Sequence, residues 1–109
     1  MYLYLELWKP KPAWEDLSRE QREEFLAQFA PGVRRSEDLQ VELLGFALNE
    51  RENEVQYRYI AAWKMPNRGL IHMLEKAEEK EGWTTYFDIA HLGGRLIPLR
   101  VFANDMVSV

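Results

Sequence analysis

The segment Tyr2-Leu3-Tyr4-Leu5-Glu6-Leu7-Trp8 alternates strictly, with Leu3, Leu5 and Leu7 on one side and Tyr2, Tyr4, Glu6 and Trp8 on the other. A period of two is the signal of a β-strand. Pro10 and Pro12 stop it, because proline has no N–H to give to a ladder. Ser18 followed three residues later by Gln21 makes a capping box, and Phe25, Leu26 and Phe29 give the helix that follows a buried stripe up to about Ala30. Pro31-Gly32 reads as the end of that helix, and Val33 to Asp38 as a charged loop.

Residues 39–50 predict a second strand that changes parity: Leu39, Val41 and Leu43 fall on one side, Leu44, Phe46 and Leu48 on the other, with Gly45 a candidate bulge between them. A polar connection, Arg51 to Glu54, leads into a third strand from Val55 to Met65, rich in Tyr57, Tyr59, Ile60 and Trp63. Asn67 is the expected cap of a second helix, in which Leu70, Met73, Leu74 and Ala77 recur at helical spacing and which Gly82 closes. Trp83 to Leu92 predicts a fourth strand, with Tyr86 and Asp88 sharing a face. Beyond Gly93-Gly94, Arg95 to Phe102 is expected to be extended, Pro98 confining it to an edge, and Asn104 to Val109 to form a mobile tail.

The order strand–helix–strand–strand–helix–strand predicts an α+β, ferredoxin-like domain over residues 1–109, with 93–109 as a C-terminal extension. Its four strands would form one antiparallel sheet with both helices on one face. Leu3, Leu5 and Leu7 are assigned to the helix-covered side, which leaves Tyr2, Tyr4 and Trp8, with Tyr86, on the bare side. That many rings exceed what a monomer leaves in water, so a homodimer closed over the bare face is expected. The alternative is that Leu96, Leu99, Val101 and Phe102 fold back over the chain's own sheet.

Composition narrows the functional classes. A net charge of -4, with basic residues interleaved among acids, argues against nucleic-acid binding. The absence of cysteine removes disulfides, thiolate metal sites and cysteine nucleophiles. No stretch has the length of a membrane span, and the N-terminal run is too short and too acidic for a signal peptide, so a cytoplasmic location is expected.

The segments Met1 to Trp8, Ala62-Trp63-Lys64-Met65-Pro66 and Gly82 to Asp88, with Leu17 to Arg22, resemble an uncharacterised bacterial family of the dimeric α/β-barrel superfamily. The likeness spans roughly residues 1–92 and rests on strand and cap patterns, with no catalytic motif in it. It implies a dimer whose sheets face each other across a cavity. The superfamily includes cofactor-free antibiotic-biosynthesis monooxygenases, isomerases, haem-dependent peroxidases and members that only bind ligands, so fold leaves the chemistry open.

Glu6 is the most informative polar position, because it lies between Tyr4 and Trp8 on a central strand. A carboxylate there must find a partner or take up a proton. It is either a general base or acid toward a ligand or the partner of an ion pair, with Arg58 the expected cation. Arg58 shares parity with Ile60; if that side lines the cavity, its guanidinium would clamp a carboxylate or enolate and Ile60 would contact the ligand. Tyr86 and Asp88 would form a polar rim, and His91 is a candidate base or haem ligand. His72 falls on a solvated helix side, so two isolated histidines predict no metal site. The leading expectation is a cofactor-free dimer that binds a small apolar or aromatic molecule through Tyr4, Trp8, Ile60, Tyr86 and Asp88. The runner-up is a monooxygenase, isomerase or cyclase that uses Glu6, Arg58 and His91.

Overall fold

The computed structural model describes all residues, 1–109. Strand β1 (Tyr2–Pro10) is followed by three helices: α1 (Pro12–Glu15), α2 (Arg19–Leu26) and α3 (Phe29–Glu37). Strands β2 (Glu42–Leu48) and β3 (Tyr59–Met65) form a hairpin. Helix α4 (Gly69–Lys80), the short helix α5 (Trp83–Tyr86), β4 (Phe87–Arg95) and helix α6 (Leu99–Ser108) complete the chain. The four strands make one antiparallel sheet in the order β2-β3-β1-β4, so β1 is central and pairs with β3 on one side and β4 on the other. No helix is long and apolar enough to cross a membrane.

The local signals act as expected at several points. Ser18 and Gln21 form the reciprocal capping box of α2. Asn67 Oδ1 accepts from the Leu70 amide at the start of α4, and Gly82 takes the left-handed conformation just past that helix. The register of β2 against β3 slips between Leu43 and Gly45. That bulge lets Leu43 and Phe46, of opposite parity, both lie opposite β3 residues of the same face, Trp63 and Ala61.

Several segments differ from expectation. Val33 to Asp38, read as a loop, is helical through Glu37, and residues 55–58 lie outside the third strand, which starts at Tyr59. Pro31-Gly32 does not end a helix: the chain breaks earlier, near Ala27-Gln28, and Pro31 sits in the first turn of α3, where its missing N–H is not needed. Trp83 to Tyr86 form a helical turn, so the fourth strand begins at Phe87 and runs through Gly93-Gly94 to Arg95. Residues beyond Pro98 are helical, because the extended Pro98 serves as the N-cap of α6 and its carbonyl accepts from Val101 and Phe102.

The larger correction concerns the faces. Tyr4 and Glu6 are buried beneath the helices, in one core with Trp63, Met65, Ala61, Val41 and Leu70. Trp8 joins the neighbouring aromatic cluster of Trp14, Trp83 and Phe87. Leu3, Leu5 and Leu7 therefore lie on the opposite face, with Ile60, Ala62, Ala90 and Leu92 as their cross-strand neighbours. None of those seven residues is buried. The bulky rings fill the wide space between sheet and helices, where Trp83 meets Trp8 at 4.9 Å and Phe25 at 4.7 Å between ring centroids.

Candidate functional site

The site is built around the middle of β1. In the ladder, Glu6 lies opposite Ala61 of β3 and His91 of β4. The three side chains at the centre of the site come from separate elements: Glu6 from β1, Glu78 from the last turns of α4 and His91 from β4. Trp63 Nε1 donates to Glu6 Oε1 at 2.5 Å, and Glu78 Oε2 lies 3.1 Å from His91 Nε2. One ligand-capable atom from each of Glu6, Glu78 and His91 falls within 4.8 Å of the others. Tyr4, two residues along β1, stacks parallel to the His91 ring at 5.7 Å. The absence of a side chain at Gly93 makes room for it, since a Cβ there would stand 3.4 Å from Tyr4 Cδ1 and 3.2 Å from the Leu3 carbonyl oxygen.

Electrostatics follow from that placement. Burial, and then the hydrogen bond and negative charge of Glu78, push the Glu6 carboxyl up to about 9. The Trp63 hydrogen bond and the His91 ring oppose the shift without cancelling it. Glu78 is also raised, first by burial and then by Glu75, Glu79 and Glu81, while the hydrogen bond with Glu6 pulls it down. Two carboxyls this close hold one proton between them more readily than two negative charges. Three buried polar atoms lack partners: the Tyr4 hydroxyl, Trp8 Nε1 and Glu78 Oε1.

Glu6 and Glu78 are among the polar residues that line a cavity of about 290 Å³ between the sheet and helices α3 and α4. Trp8, Phe29, Val33, Trp63, Leu74 and Trp83 make most of its apolar wall. Arg35 of α3 and Glu81 also line it, 3.7 Å apart as an ion pair. An adjoining cleft of about 370 Å³ shares Trp8 and is lined only by hydrophobic residues, Leu26, Phe46 and Tyr59 among them.

Of the residues singled out by sequence, Glu6, Tyr4 and His91 converge here, and Trp8 lines the cavity. The others do not. Arg58 precedes β3, is exposed, and contacts the Tyr59 hydroxyl at 3.3 Å and Glu52 at 3.4 Å, so it cannot serve as the counter-ion of Glu6. Ile60 points to the opposite face, where it pairs with Leu7 and Ala47. Tyr86 packs on Phe25 and Trp14. Asp88 is a solvent-facing carboxylate 4.0 Å from Lys11.

Glu78 and Trp63 are the partners that sequence reasoning missed. A signal for Glu78 was present: Leu70, Leu74 and Glu78 are spaced by four, so a carboxylate continues the apolar stripe of α4. Over residues 1–109 the chain matches a family of unknown function (DUF6616). The chain belongs to that family. No curated protein and no solved structure matches it.

Proposed function

We propose that this chain is a ferredoxin-like homodimer that binds a small apolar or aromatic molecule in the cavity beneath α3 and α4, with Glu6 and Glu78 holding the molecule's polar end. The observation that carries the reading is a mostly apolar cavity of about 290 Å³ whose lining includes two buried carboxyls. Ligand sites have this character: mostly hydrophobic walls, a few convergent polar groups and shifted ionisation. A carboxyl pair with one proton both donates and accepts, which suits a ligand bearing a single hydroxyl or carbonyl group on an apolar body. An anionic group at that end would be repelled by the charge the pair retains.

The antiparallel order β2-β3-β1-β4 supports the ferredoxin-like assignment. Two observations favour a second copy. The face formed by Leu3, Leu5, Leu7, Ile60, Ala62 and Leu92 is apolar yet unburied. Helix α6 has no buried residue and exposes Leu99, Phe102 and Met106. Ten residues of isolated helix are marginal in water, so α6 needs a surface to lie on. The radius of gyration is 15.9 Å, against roughly 13 Å for a compact chain of this length. A twofold pairing in which each α6 lies on the partner's leucine face accounts for both features. The cavity is complete within one copy, so ligand binding and dimerisation are separable.

The test is a titration of ¹⁵N-labelled protein with p-cresol, an aromatic ring carrying one hydroxyl. The expected outcome is saturable shifts at the indole N–H signals of Trp8, Trp63 and Trp83 and along α3 and α4. Shifts confined to the open sheet face, or no shifts at all, would overturn the proposal.

A further inference from the structure

We propose that Glu6, Glu78 and His91 form a binding site for a divalent first-row transition ion, of which Zn²⁺ is the representative. The sequence predicts no metal site from two isolated histidines; the fold adds two buried carboxyls beside one of them. The ion would take the place of the proton shared by Glu6 and Glu78 at the proposed ligand site, and its binding is read with no organic ligand present.

The donor set is balanced. Two carboxylates neutralise a divalent charge, and an imidazole adds the nitrogen that these ions favour over Ca²⁺ or Mg²⁺. The spacing is close to what coordination needs. Tetrahedral Zn–N and Zn–O distances of roughly 2.0–2.2 Å put ligand atoms about 3.3–3.6 Å apart. His91 Nε2 and Glu78 Oε2 stand at 3.1 Å, and the whole trio lies within 4.8 Å. Closing the widest pair, at up to 4.8 Å, onto one tetrahedral ion takes roughly an ångström of movement shared between the side chains.

Independent observations point the same way. Glu78 is 8% exposed, and its Oε1 has no hydrogen-bond partner. Tyr4 is 1% exposed, and its hydroxyl is also without a partner; burial, and then the charges of the same carboxyls, oppose its ionisation. A protein that buries two neighbouring carboxyls with no cation against them leaves a cost that a metal ion removes. No lysine or arginine forms an ion pair with either carboxyl; the one ionic contact of the pair is Glu78 with His91.

Outer contacts of the right kind are present too. Trp63 fixes Glu6 through Oε1, leaving the other oxygen to ligate, and Tyr4 stacks against the His91 ring and restricts its orientation. His91 lies on the edge strand β4 with its side chain 31% exposed, which provides an entry path from solvent. Three protein ligands leave at least one coordination position open for water or for a polar group.

The experiment uses the full chain, stripped with chelator and titrated with Co²⁺ as a visible-absorbing substitute, then with Zn²⁺ in competition. One equivalent of Co²⁺ should give d–d absorption that Zn²⁺ abolishes, and Zn²⁺ should raise the melting temperature. Glu78→Gln and His91→Gln should each weaken Co²⁺ binding by more than about tenfold, whereas Glu20→Gln, exposed on α2, should leave it unchanged. Because His91 is partly exposed, His91→Gln keeps the test open even if the buried Glu78→Gln does not fold. No Co²⁺ absorption in the folded wild-type protein, or absorption that survives His91→Gln undiminished, would overturn the site.

Discussion

Trp63 Nε1 donates to Glu6 Oε1 across 2.5 Å, joining neighbouring strands beneath the helices through a side-chain contact as well as the backbone ladder. An indole N–H needs an acceptor when buried, and a buried carboxyl needs a donor. Each satisfies the other, so the pair orients the carboxyl that the rest of the site depends on.

Replacing Trp63 with Phe therefore removes more than packing. The buried Glu6 oxygen loses its donor, a loss of about 1–3 kcal/mol. Because that hydrogen bond holds the Glu6 carboxyl down, its ionisation should move still higher. Urea denaturation monitored by circular dichroism, together with a ¹³C-detected carboxyl titration, checks both. An unchanged carboxyl titration would show that the contact is not formed in solution.

The ionisation of Glu6 sets a pH dependence of stability for the metal-free protein. Its carboxyl titrates near 9 when folded and near 4.5 in the ordinary unfolded environment, so between those values the folded chain holds the extra proton. Stability is then fully present below about pH 4.5 and is lost as pH rises through about 9. Glu78 is shifted in the same direction and adds to the trend. Denaturation in the presence of chelator at pH 5, 7 and 9 should give falling midpoints, and Glu6→Gln should flatten the slope. A wild-type midpoint constant across that range would contradict the burial of the pair.

Ala77 of α4 lines the cavity, so enlarging it to Leu should fill space that a ligand needs. The expected result is a loss of p-cresol binding of at least tenfold, with stability changed by no more than the roughly 1–3 kcal/mol that overpacking costs. Isothermal titration and thermal melting read the two effects separately. Undiminished affinity would move the ligand out of this cavity.

Light scattering addresses the assembly. The wild-type chain should elute with twice the monomer mass of 13.0 kDa. Leu5→Glu places a charge at the centre of the leucine face and should give a folded monomer, as should removal of residues 99–109. A wild-type monomer at micromolar concentration would leave the leucine face and α6 to some other partner.

Much of the secondary structure was readable from local chemistry. Alternation marked β1, the Ser18–Gln21 box marked the start of α2, Gly82 marked the end of α4, and Gly45 marked the bulge in β2. Each is a short-range effect of steric preference or hydrogen bonding within a few residues. Where those signals misled, a longer-range arrangement decided the outcome. Pro31 fits inside α3 because the break at Ala27-Gln28 turns it into a first-turn residue, and Pro98 opens a helix because its carbonyl accepts from the residues after it.

The candidate site divides in the same way. The sequence by itself marked Glu6 as a carboxyl that must be neutralised or paired, because it stands among apolar residues on a strand. It could not say which side of β1 faces the helices, since both parities are apolar and a period of two carries no sign. Tertiary packing made that choice: the large rings went where sheet and helices leave the widest gap, and the leucines went to the other face. The same choice brought Glu78, 72 positions further along the chain, against Glu6 and His91 and kept Arg58 away. Contacts between residues so distant in sequence depend on the closing of the whole sheet and its helices, which no local pattern encodes.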